Sequence, residues 1–206
     1  MHQPQLGHNG CIGTPRRTPH QQRARQTLDV LVEAAAQMFS REGPAATTNR
    51  IAERAGVSIG TLYQYFPDKH ALLRAVARRH VRDGEARLAP LFDRLRVDNP
   101  AFETTMATLL REVVDLHSGH PRLHALLHRV AGTADDVEEM GRFEDWICAE
   151  VSYHLKRCGR GGADPELTAR TILHAVDAQV HRVMPRHGYD VKQLLLTVDR
   201  LAPPPP

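Results

Sequence analysis

The stretch TTNRIAERAGVSIGTLYQYFPDK, Thr47 to Lys69, reads as two short helices around a tight turn. Thr47 or Thr48 can cap the first helix, whose Ile51, Ala52 and Ala55 share a face, and Gly56 can take the left-handed conformation that ends it. Ser58 can cap the second. Burying Leu62 and Phe66, four residues apart, turns Gly60, Thr61, Tyr63, Gln64 and Tyr65 outward. Helix, short glycine-containing turn, helix is the helix-turn-helix pattern.

Working outward, Leu28, Leu31, Val32, Ala35, Met38 and Phe39 form a helical stripe from about Arg23 to Arg41, stopped near Gly43-Pro44. A lone amphipathic helix is marginal, so this one packs on the two that follow and makes a small bundle. After it, Asp68 is placed to cap a further helix carrying Leu72, Leu73, Val76 and Ala77, with Lys69 in its first turn as a candidate phosphate contact. This helix runs to about Arg82 or continues, bent at Gly84 or Pro90, through Leu95.

Charge divides along the chain. Residues 1–80 hold eleven Lys and Arg against five Asp and Glu, whereas residues 81–206 hold sixteen against nineteen. The basic part contains the helix-turn-helix, which points to a polyanionic partner for that part. With 41% hydrophobic and 25% charged residues, and no run near the roughly 18 apolar residues of a membrane span, the composition is that of a soluble protein. The N-terminus has no continuous apolar stretch, so no secretory signal is expected. Cys148 and Cys158 lie about 15 Å apart if they share one helix, too far to bridge. Free thiols and a cytoplasmic location are the expectation for Cys11, Cys148 and Cys158.

The run T-T-x-x-I-A-x-x-A-G-V-S-x-G-T-L-Y-x-Y-F-x-x-K-x-x-L from Thr47 to Leu72 resembles the DNA-binding domain of TetR-family transcriptional regulators. The resemblance covers residues 23–80. It implies an all-α chain with an N-terminal three-helix helix-turn-helix DNA-binding domain, followed by a larger helical ligand-binding and dimerisation domain. It also implies repression at a palindromic operator, bound as a homodimer and relieved by a small molecule. Carried over by position, Thr47, Thr48, Asn49, Ser58, Ile59, Gly60, Thr61 and Gln64 would face the major groove or its edges, while Tyr63, Tyr65 and Lys69 would hold phosphates. Gln64 and Asn49 have the chemistry to read adenine.

The expected division is an extended, disordered segment over residues 1–22, the DNA-binding domain over 23–80, a helical domain over 81–201 and a disordered Pro-rich tail over 202–206. Arg16, Arg17, Arg23 and Arg25 could form an arm along DNA, against which stands a plain solvated tail. Helical patterns begin near Pro100, Pro121, Val137, Pro165 and Val191. The last two, residues 165–184 and 190–201, suit a four-helix dimer interface, with Ile172, Val176, Val180, Leu194, Leu195 and Val198 as candidates unless they face their own core.

Ligand-pocket candidates are Phe102, Met106, Leu110, Leu127, Phe143, Trp146 and Ile147, with His128, His174 and Asp177 as polar contacts. His117, His120, His124 and His128 invite a metal-sensing alternative, weakened by Pro121 and by the lack of a nearby cysteine; no metal site and no cofactor are assigned. An enzyme is not expected, because G-x-S-x-G, H-E-x-x-H and phosphate-loop motifs are all missing.

Overall fold

The computed structural model describes residues 19–127 and 132–204, which form helices and connecting turns with no strand among them. Helix α1, Pro19–Glu42, is followed by a 3-10 turn, Gly43–Ala45, and by α2, Thr48–Ala55, and α3, Ile59–Tyr65. Helix α1 begins before its apolar stripe does. Gln21, Gln22 and Arg23 are good helix formers on an exposed face, so residues 19–22 extend the helix where an unstructured segment was expected. Arg23 and Arg25 therefore sit on this helix and not on an arm; Arg16, Arg17 and the rest of the segment lie outside the described residues.

Leu31, Ala35, Phe39, Ile51, Leu62 and Phe66 close the first core, each buried for the reason its spacing suggested. Helix α4, Lys69–Asp98, contributes Leu72 and Val76 to that core, then continues without interruption past Gly84 and Pro90. At about 1.5 Å per residue its 30 residues span about 45 Å. Its far end, from Leu88 to Leu95, belongs to a second core.

That second core is built by α5, Phe102–Ser118, α7, Ala134–Arg157, α8, Pro165–Ala178, and α10, Val191–Leu201. Two short helices complete the chain: α6, Pro121–Leu127, and α9, Met184–His187. Helix α7 starts before the expected Val137 because Thr133 and Asp136 form a reciprocal capping box. The helix expected from residue 165 to about 184 carries a π-helical segment, Gln179–Val183. Arg78 of α4 donates to Asp136 at 2.6 Å and so fastens α7 to the long helix.

Packing bears on three expectations. Ile172, Val176, Val180, Leu194 and Val198 are buried in the second core of their own chain, and Leu195 packs against it, because α5 and α7 cover the apolar stripes of α8 and α10. The outward faces of these helices carry Leu167 and Leu196, 62% and 59% exposed. Ala202, assigned to a disordered tail, is fully buried, and its carbonyl accepts a hydrogen bond from Arg160 at 2.9 Å. Finally, α6 reaches across the line expected between residues 80 and 81. Leu123 of α6 sits in the first core, and Arg122 donates to the Arg41 carbonyl at 3.1 Å.

Candidate functional site

The helix-turn-helix is held by local caps. Thr47 Oγ1 accepts from the Arg50 N–H at 3.4 Å, Ser58 Oγ accepts from the Thr61 N–H at 3.0 Å, and Asp68 Oδ1 accepts from the Ala71 N–H at 2.7 Å. Gly56, at φ 68°, makes the turn in the left-handed region that glycine enters most readily. With Leu62 and Phe66 anchored beneath it, α3 turns Ile59, Gly60, Tyr63 and Gln64 outward. A Cβ on Gly60 would meet nothing nearer than Ser58 Oγ at 3.7 Å, so the fold itself does not demand glycine there.

The other candidate contacts are arranged less uniformly. Thr47, Asn49 and Ser58 are exposed, and Thr48 and Thr61 are half-buried at the rim of the same face. The Tyr63 hydroxyl lies 3.2 Å from Thr48 Oγ1, which ties α3 to the start of α2. Tyr65 is half-buried against the first core. Lys69 turns its ammonium towards the chain and donates to the carbonyls of Pro44 and Ala46, at 2.8 and 3.4 Å. It thereby stabilises the turn before α2, a role its sequence position did not reveal. Arg50, exposed beside this face and paired with Glu42 at 2.6 Å, was overlooked; its place on the polar side of α2 was the available signal.

A cavity of about 230 Å³ lies between the far part of α4 and helices α5 to α8. Of the ten ligand-pocket candidates, Met106, Leu110, Leu127, Phe143, Ile147, His174 and Asp177 line it. Phe102 does not, being buried beneath the Arg160 guanidinium, which stands 4.4 Å from its ring centroid. Trp146 packs edge-on to Phe92 behind the lining. His128 lies outside the described residues. Gly84 permits the closeness of α4 and α7, since a Cβ there would touch the Phe143 ring at 3.4 Å.

Most of the lining is aliphatic or aromatic, but one end is imidazole. His80, His117 and His124 bring their ring centroids within 4.4 to 5.2 Å of one another, and His181 lies against His117 at 4.7 Å. Burial pushes His80 and His117 down to about 4. His124 is pushed down to about 2, by burial first and then by its neighbouring histidines. His117 Nδ1 is 2.6 Å from the Val113 carbonyl, which fixes the proton on that nitrogen. Neither ring nitrogen of His124 has a hydrogen-bond partner among the described residues. The sequence pattern had grouped His117 and His124 with His120, which is exposed, and had omitted His80, 37 residues before His117 in the chain.

Comparison with known proteins gives concordant matches. The family model described as bacterial regulatory proteins, tetR family, matches residues 31–76, and that of the tetracyclin repressor-like C-terminal domain matches residues 102–201. An uncharacterized HTH-type transcriptional regulator of Mycobacterium tuberculosis is 29% identical over 164 residues, covering 69% of this chain and 81% of the relative. The HTH-type transcriptional repressor KstR of Rhodococcus jostii is 30% identical over 129 residues, 59% of this chain and 57% of KstR. In fold, the chain is similar to the reduced form of NemR from Escherichia coli, with a TM-score of 0.65 at 17% identity over 87% of this chain and 98% of NemR.

Proposed function

This chain belongs to the TetR family of transcriptional regulators, and on that premise we propose that it is a repressor that binds a palindromic operator as a homodimer and leaves it when a small molecule fills the cavity. The observation that carries the reading is α4. One unbroken helix starts directly behind α3 and, eleven residues later, lines the cavity with His80. A ligand that favours one placement of α4 therefore biases the placement of α3.

For DNA, the reading rests on the exposed face of α3 and the start of α2. Gly60 leaves room for a phosphate backbone to approach, in keeping with a glycine that the fold does not require. Thr47, Asn49, Ser58, Thr61 and Gln64 supply polar contacts at the groove, and Tyr63 a phosphate contact. Ile59 offers apolar contact with a thymine methyl. Tyr65 acts mainly by packing on the first core and Lys69 by holding the turn, with Lys69 retaining a third donor for phosphate. The dimer forms through the outward faces of α8 and α10, where Leu167 and Leu196 are exposed. The setting is the cytoplasm; no described helix is long and apolar enough to cross a membrane.

For the effector, the cavity suits a small molecule with an apolar body and a polar end that meets the histidines, Glu144 or Asp177. The described lining has no Ser, Thr, Cys or Lys to act as a nucleophile, which favours binding over turnover.

Selection of bound duplexes from a random pool tests the reading. The expected product is an inverted repeat bound by two chains, with affinity that falls steeply with salt. On that operator, Tyr63→Ala is expected to weaken binding to all sequences, and Gln64→Ala to change base preference at one position in each half-site. Recovery of no preferred sequence, or equal losses on operator and random DNA for both variants, would overturn the assignment.

A further inference from the structure

We propose that His80, His117 and His124 form a three-imidazole site for a divalent transition metal ion of the zinc class, and that its occupancy changes operator affinity. The second half of this proposal rests on the repressor reading; the first does not.

The geometry brings one residue from each of three helices, α4, α5 and α6, to a single point. One ligand atom from each lies within 4.8 Å of the other two. Tetrahedral zinc with bonds of about 2.0–2.1 Å sets ligand nitrogens about 3.4 Å apart, so the three rings need to close by roughly an ångström. His117 and His124 are buried, 8% and 4% exposed, at one end of a mostly apolar cavity.

Packing alone does not account for this arrangement. A buried polar group without a partner is costly, and a core position offers leucine or methionine instead. His124 leaves both of its ring nitrogens without a partner among the described residues, and its ring centroid stands 4.4 and 4.7 Å from those of His80 and His117. His117 is already set up as a ligand: with Nδ1–H donated to the Val113 carbonyl, the lone pair is on Nε2.

Ligand type narrows the ion. Imidazole nitrogen without carboxylate in the first set disfavours magnesium and calcium and suits zinc, nickel, cobalt or copper. Three neutral ligands leave two positive charges in an apolar setting. Compensation is at hand from the Asp177 and Glu144 carboxylates on the same cavity, or from an anionic donor of a ligand completing the fourth position.

Occupancy would join elements that the DNA-binding part depends on. Helix α4 follows directly on α3, and Leu123, the neighbour of His124 on α6, sits in the first core. Drawing His80 and His124 together on one ion therefore resets α4 against α6.

The test uses the full chain, stripped with a chelator, dialysed and titrated calorimetrically with Zn(II), and separately with Co(II) read by its visible absorption. One equivalent per chain is expected, with the Co(II) spectrum of a low-coordinate site. His80→Asn, His117→Asn and His124→Leu are each expected to weaken binding at least about 100-fold. His124→Leu guards against a folding artefact, because an apolar side chain suits that buried position and should keep or raise the metal-free melting temperature. The exposed pair His120→Ala and His187→Ala is expected to leave binding intact. Absence of a saturable equivalent, unchanged affinity in the triad variants, or loss in the exposed pair would overturn the site. In the second arm, Zn(II) is expected to change operator affinity at least about tenfold in the wild type and not in His124→Leu. Stoichiometric zinc with unchanged operator affinity would overturn the coupling and keep the site. Failure to bind any duplex, loaded or stripped, would count against the repressor reading, and the calorimetry would still decide the site.

Discussion

At the scale of the residue, the helix-turn-helix depends on conformations that few side chains accept. Gly56 occupies the left-handed region at φ 68° with nothing crowding its Cβ position, so Gly56→Ala tests backbone strain alone. The expected cost is about 1–2 kcal/mol, read as a lower melting temperature, with operator affinity retained below it. His154 makes a different demand. It is fully buried, with Nε2 lacking a partner among the described residues and Nδ1 receiving a hydrogen bond from Arg157 at 3.4 Å. Burial, and then the Arg157 guanidinium, hold it below the ordinary histidine range, with Arg96 acting in the same sense and Glu150 opposing. The unfolded chain consequently binds this proton more readily than the native one, so stability is lost as pH falls below about 6.5. His154→Gln is expected to flatten the fall of melting temperature between about pH 7 and pH 5 relative to the wild type. An identical acid slope in both proteins would show that His154 carries none of it.

Elements show what a one-dimensional pattern conveys and what it omits. The starts at Ser58 and Asp68 and the stop at Gly56 were legible, and the first start was narrowed to Thr47 or Thr48, because each is a contact within about four residues. The apolar stripes of α8 and α10 were legible too, but a stripe states that it must be covered and not by what. Here α5 and α7 cover Ile172, Val176, Leu194 and Val198, and the outward faces hold Leu167 and Leu196. The two sets are separable by experiment. Ile172→Ala is expected to destabilise the fold by about 2–5 kcal/mol. Leu167→Glu with Leu196→Glu is expected to leave the helical signal in place and yield monomers by sedimentation. A double variant that sediments as a dimer would move the interface elsewhere. For the cavity, six of the ten candidates line it from the inner faces of the amphipathic helices α5, α7 and α8, and Leu127 joins them from the end of the short α6. The imidazole end could not, since His80 meets His117 and His124 only through the crossing of α4 with α5 and α6.

Across the whole molecule, the two cores are joined by α4 along its length and by α6 from the side. Leu123→Ala measures the second connection. Its side chain is 7% exposed in the first core, so a loss of about 2–5 kcal/mol is expected, together with weaker operator binding from a substitution more than fifty residues beyond α3. A melting temperature within error of the wild type would show that the first core closes without it. The placement of Leu123 also bears on protein engineering. Regulators of this kind invite chimaeras in which one reading head is grafted onto another sensor. In this chain a graft cut after residue 80 would strip Leu123 from the head's interior and expose the apolar surface it shields. Transplants that carry residues 121–127 with the head, or supply a matching leucine from the new sensor, should remain soluble where simpler fusions aggregate.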